Sequence, residues 1–162
     1  MRPILTDLAI PFLRQRHGLL VSIIDQWGLE VLEFFDRYES AVVRTKHGFQ
    51  IAAGGDWRRD LPAPEDPPGV RIEPIRVTLV ESWNLESGGV FALSTYRYQL
   101  RAGVLVERYD RDPTKPVVLL HHCHPFGEEN VRMPMMVTHP ERAVSELLGR
   151  LAILADSDPD RD

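Results

Sequence analysis

Apolar residues recur at helical spacing between Pro11 and Gly28, where Phe12, Leu19, Leu20, Ile23, Ile24 and Trp27 would line one face of a helix. Pro11 suits a first helical turn and Gly28 the position just past a C-terminus, while His17 and Gly18 weaken the middle. The next stretch, "LEVLEFFDRYE", fits neither a helical nor a strand period. "AVVRTKHGFQIAA" then reads as two short strands around a Lys-His-Gly turn, closed by Gly54 and Gly55. Prolines 62, 64, 67 and 68 rule out helix interior and ladder pairing, so "DWRRDLPAPEDPPG" reads as an extended connector.

Beyond Gly69 the period changes to two. "VRIEPIRVTLVESWNL", "VFALSTYRYQL", "VLVERYD" and "VVLLHHCH" alternate, with turns at "ESGG", "RAGV" and "RDPTKP". The final element is a helix. Thr138 and Glu141 form a capping box, Pro140 falls in the first turn, and Val144, Leu147, Leu148, Leu151 and Leu154 supply the packing face. The expected fold is α+β: an antiparallel sheet of about four to six strands, with N-terminal and C-terminal helices packed on one face. The chain reads as one domain over 1–162. Within it lie a helical and hairpin extension over 1–60, a connector over 61–70, a sheet-plus-helix unit over 71–155 and an acidic tail over 156–162.

Composition narrows the function classes. A hydrophobic fraction of 43% with 27% charged residues is that of an ordinary globular protein. No apolar run approaches the roughly 20 residues that span a bilayer, so no membrane role is expected. Asp7 and Pro11 would break the apolar core of a secretory signal, and the single cysteine, Cys123, suits a reducing cytoplasm. The net charge of −5 gives no general footprint for nucleic-acid binding. The acidic excess lies outside residues 70–150, where 10 basic groups balance 10 acidic ones.

The candidate chemistry sits in "LLHHCHPFGEEN". On an extended segment, His122 and His124 share one face while His121 and Cys123 share the other. Such a pair can serve as two acid–base imidazoles near one substrate, or as two ligands of one metal. A metal needs a third ligand, for which Asp110, Glu128, Glu129 and His139 are candidates at no diagnostic spacing. The bland reading is a histidine-rich polar loop ended by Pro125. Upstream, Tyr96, Tyr98 and Tyr109 interleave with Arg97, Arg101 and Arg108, a surface that could stack bases and hold phosphates. Against that, tyrosine is a good strand former, and arginine pairs across strands with residues such as Glu107 or Glu81. Met133, Met135 and Met136 read as packing, and Cys123 as a buried thiol.

Taken in order, Tyr96-Arg97-Tyr98, Arg108-Tyr109-Asp110, His122-Cys123-His124, Glu128-Glu129 and the helix after Thr138 resemble the TumE-like toxins of toxin–antitoxin systems. The resemblance covers about residues 71 to 155. Arg111 stands where the family often has Asn, the turn before the histidines is longer, and residues 1–65 have no counterpart. The resemblance implies a growth-inhibiting protein neutralised by an antitoxin, typically of helix-turn-helix type, and an attack on RNA. His122 and His124 would be the base and acid, Asp110 would orient an imidazole, and Arg97, Tyr98, Arg108 and Tyr109 would hold the substrate. No cofactor is expected on that reading. The alternatives are a non-enzymatic binding module and a metal-dependent hydrolase using His122, His124 and Glu128.

Overall fold

The computed structural model describes residues 4–27, 29–32, 42–57, 75–102, 105–125, 130–135 and 139–156. Most of the ambiguous stretch after Leu32, the connector over 61–70, Glu128, Glu129, Thr138 and the tail beyond Asp156 lie outside them. Helix α1 (Ile4–Gln26) is followed by strands β1 (Glu30–Val31), β2 (Val42–Arg44), β3 (Gly48–Trp57), β4 (Ile75–Leu85), β5 (Phe91–Ala102) and β6 (Leu105–Arg111). A 3-10 turn (Val117–Leu119), strands β7 (His121–His124) and β8 (Met133–Pro134) and helix α2 (Pro140–Asp156) complete the described elements. The fold is α+β. All pairings are antiparallel, in the order β1-β3-β4-β5-β6-β7-β8 with β2 on β3.

Among the described residues the sheet has eight strands where the hydrophobic pattern predicts four to six. The additions are β1 and β8, each two residues long, too short to carry a period. Two boundaries also differ from expectation. Helix α1 begins well before Pro11, which lies inside it. A proline fits helical φ and removes one hydrogen bond, and burial of Ala9 and Leu13 on either side carries the helix through. The apolar stripe is Ala9, Leu13, Leu20, Ile23 and Ile24, with His17 seated among them, while Leu19 and Trp27 remain partly exposed. The second difference is at Val117 and Val118, which look like strand but form the 3-10 turn after Pro116, closed by Leu119 N–H on Pro116 O.

The described residues of the N-terminal part, 4–27, 29–32 and 42–57, contribute to the same sheet and core. Strand β3 pairs with β4 along its whole length, and α1 packs on β3. Helix α2 lies on β5 and β6, and one core cluster joins residues of both helices to the same sheet face. Strand register defines that face. One row runs Ala53, Leu79, Tyr98, Tyr109, Cys123, and a neighbouring row runs Ile51, Glu81, Tyr96. The opposite face carries the row Ala52, Val80, Arg97, Asp110, His122 and the row Gly54, Thr78, Gln99, Arg108, His124. Adjacent residues on a strand point to opposite faces, so each Arg-Tyr dipeptide is split between them.

One carboxylate lies within the helix-side core. Glu81 is fully buried and accepts four donors: Arg16 Nε at 2.7 Å and Nη2 at 2.6 Å, Trp83 Nε1 at 2.9 Å and the Tyr98 hydroxyl at 2.7 Å. A buried charge persists only when paired and fully hydrogen-bonded, and Arg16 thereby ties α1 to β4. At the far turn, Gly88 and Gly89 adopt positive φ, which L side chains rarely take, and the "ESGG" turn closes through Glu86 N–H on Val90 O.

Candidate active site

The site is assembled by three neighbouring strands on the face away from the helices. Register sets Arg97 on β5 opposite Asp110 on β6, and Asp110 opposite His122 on β7. One row over, Arg108 faces His124. Arg97 Nε donates to Asp110 Oδ1 at 3.0 Å, and Arg108 Nε donates to Oδ2 at 2.9 Å. Both oxygens of the carboxylate therefore carry an arginine. His124 Nε2 lies 3.5 Å from Asp110 Oδ2 and 3.4 Å from Arg108 Nη2, while His122 Nε2 lies 3.9 Å from the same Oδ2. The imidazole centroids are 5.0 Å apart, edge to face.

A backbone carbonyl sets one tautomer. His122 Nδ1 lies 2.7 Å from Leu119 O, and a carbonyl only accepts, so Nδ1 carries the proton. Neutral His122 therefore presents the lone pair of Nε2 to the cluster. The 3-10 turn that interrupts the expected strand is what supplies this carbonyl. The group is layered by depth. Arg97 is 56% exposed and Arg108 20%, whereas Asp110 is 8% exposed and each imidazole 2%. With neutral imidazoles, two guanidiniums and one carboxylate leave a single positive charge, in a chain of net −5.

The sequence-predicted residues divide between the two faces. Asp110, His122, His124, Arg97 and Arg108 come together. Tyr98 and Tyr109 do not: both are buried on the helix side, Tyr98 donating to Glu81 and Tyr109 to Glu146 Oε2 at 3.2 Å. Burial, and then the charge of Glu81, raise the Tyr98 pKa far above that of a free phenol, so its hydroxyl stays a donor. Neither ring is placed to stack a base beside the histidines. Tyr96 is also buried on that side, stacked on Tyr98 at 4.6 Å and sharing a 3.0 Å hydrogen bond with His121 Nδ1. Burial, helped by nearby Arg111, holds His121 below the usual histidine range. Cys123 is buried on the helix side, and exposed His139 stands at the start of α2.

The donor atoms of Asp110, His122 and His124 lie within 4.8 Å of one another, so this buried group could hold a metal ion. Its chemistry fits in part. Two imidazoles and a carboxylate are a workable set, and the Leu119 carbonyl orients His122 as an outer partner of a metal ligand would. Arg108, however, already donates to the same Oδ2 and touches His124 Nε2. A metal would share that oxygen with a guanidinium or displace it. From sequence, Asp110 is expected to orient an imidazole or to stand among the candidate third ligands of a metal. In its double arginine clamp, Arg108 stands two residues from Asp110 on one strand, whereas Arg97 reaches it only through cross-strand register, for which the sequence holds no local signal.

Among the described residues no helix is long and apolar enough to cross a membrane. No family model, curated protein or solved structure matches the chain.

Proposed function

We propose that this chain is the toxin of a toxin–antitoxin pair and cleaves RNA by metal-independent acid–base catalysis. The observation that carries the reading is a pair of imidazoles, His122 and His124, converging on Asp110 beneath two arginines. The net positive charge of the group suits a phosphodiester, and arginine matches its oxygens well. His122, with Nδ1 committed to Leu119, takes the 2′-hydroxyl proton on Nε2. The 2′-oxygen attacks phosphorus as the bond to the 5′-oxygen breaks. His124, protonated once Arg108 Nη2 turns from its Nε2 to the phosphoryl oxygens and with Asp110 Oδ2 3.5 Å away, returns a proton to that leaving oxygen. The products are a 2′,3′-cyclic phosphate and a 5′-hydroxyl. Arg97 and Arg108 balance the charge that builds on the phosphoryl oxygens.

The toxin role and a helix-turn-helix antitoxin as partner follow from the resemblance in residues 71–155. Tightly induced expression of wild type and His124→Ala at equal soluble protein tests them. Growth arrest by wild type alone, relieved by a co-expressed antitoxin candidate, is the expected result. Unchanged growth with wild type counts against the toxin.

A second reading has its own observation, the mutual approach of the Asp110, His122 and His124 donor atoms. A divalent ion held there would activate a water for hydrolysis. Stoichiometric zinc or manganese in untagged protein, with activity lost to a chelator, would favour it over the acid–base reading.

A further inference from the structure

The two arginines on Asp110 are not equivalent. Arg108 is mostly buried and holds Asp110 with Nε while its Nη2 meets His124. Arg97 is 56% exposed and touches Asp110 through Nε alone. Among the described residues its two terminal nitrogens have no partner. It is the outermost charged member of a group whose imidazoles are 2% exposed. An anion approaching from solvent therefore meets Arg97 first, and finds an internal carboxylate already on it.

We infer that Arg97 is the anion receptor of this site and that Asp110 is its resting occupant, which a phosphodiester of the substrate exchanges for itself. The inference rests on the acid–base reading for the identity of the anion as nucleic-acid phosphate. A guanidinium binds carboxylate and phosphate by the same planar donor fork, so the two compete for one partner. Exchange frees Asp110 Oδ1, leaving Oδ2 on Arg108, and brings the phosphodiester to the layer just above the histidines. No bond is made or broken in this step. Arg97 is thus a substrate-binding residue, and Asp110 has a second role as placeholder besides supporting His124.

The consequence runs opposite to ordinary loss of function. Removing the placeholder's charge with Asp110→Asn should tighten anion binding even as it harms catalysis. The expected gain is about tenfold, the size of one charge-assisted hydrogen bond no longer competed for, and Arg97→Ala should weaken binding by a similar factor. In the metal reading, Asp110→Asn removes a ligand and has no reason to tighten phosphate.

The test is calorimetric titration, with chelator present, of wild type, Asp110→Asn and Arg97→Ala. The probes are inorganic phosphate and a 2′-deoxydinucleotide, which 2′-hydroxyl chemistry cannot cleave. The Arg97 Nε–H resonance of wild type, assigned by its loss in Arg97→Ala, is followed in parallel and needs no buried substitution to fold. Expected are tighter binding of both probes by Asp110→Asn, weaker binding by Arg97→Ala and a saturable shift of the Nε–H resonance. An unmoved resonance overturns the inference. So does Arg97→Ala binding as wild type does, Asp110→Asn folding without tighter binding, or binding of inorganic phosphate but not the dinucleotide. None of these readouts requires turnover, so anion exchange can hold where RNA cleavage fails, and the reverse.

Discussion

Replacing Arg16 by Ala leaves the Glu81 carboxylate buried with two of its four donors, the Trp83 indole and the Tyr98 hydroxyl, both neutral. The two lost bonds form a bidentate ion pair at 2.7 and 2.6 Å. Breaking such a pair on one side costs about 3–5 kcal/mol, because the remaining charge keeps its desolvation penalty without its partner. Arg16 also sits 5.3 Å from the Trp83 ring centroid, and that contact goes too. For a chain of this size the change corresponds to a fall in Tm of about 10 °C. Removing both charges behaves differently. Arg16→Met with Glu81→Leu leaves no buried anion, and such replacements are often neutral or stabilising. The double variant should therefore recover part of the loss, offset by about 1–3 kcal/mol for the stranded hydroxyl of buried Tyr98, with a smaller cost at half-buried Trp83. Urea denaturation of Arg16→Ala, and of Arg16→Met, Glu81→Leu and their double variant as the cycle, gives the comparison. A loss below about 1 kcal/mol for Arg16→Ala, or a double variant no better than the single, would refute the argument that Glu81 depends on Arg16.

Two further outcomes follow from particular residues. His121 has its pKa lowered from 6.5, mainly by burial, so between its folded and unfolded values the unfolded chain binds the extra proton. The stability of the neutral form is thus present above 6.5 and declines as pH falls through the folded value, a decline His121→Gln should flatten in urea titrations between neutral and mildly acidic pH. A Cβ at Gly48 would stand 1.9 Å from the Trp83 carbonyl oxygen, so Gly48→Ala must move the β3–β4 ladder and should cost about 1–3 kcal/mol, measured as a lower denaturation midpoint; unchanged stability would show the strands part freely there.

How much of this was readable from the chain depends on the range of each interaction. The pairing of His122 with His124 on one face follows from strand alternation and needs no tertiary information. The same parity separates Tyr98 from Arg97 and Tyr109 from Arg108, yet an aromatic next to a cation suggests a shared surface and hides the split. The part of helix α1 before Pro11 and the 3-10 turn at Val117–Leu119 were missed because local chemistry points the other way, and burial or a backbone bond decides. His17 in the apolar stripe breaks a hydropathy count although its position is a core one. Least readable was the Arg97 half of the arginine clamp on Asp110. It requires Arg97, Asp110 and His122 to fall in one row across β5, β6 and β7, and that register is set by turns whose geometry the sequence only outlines.

The central claim is that His122 and His124 act on RNA without a metal. The direct measurement is cleavage of a short RNA in excess chelator by purified wild type and His124→Ala, with a 2′-deoxy control and end-group identification of the products. The account predicts 2′,3′-cyclic phosphate and 5′-hydroxyl ends with wild type, an intact deoxy control, and a loss of about a hundredfold or more with His124→Ala, as expected for one acid–base group. RNA left intact by wild type, or equal cleavage by His124→Ala, would contradict it.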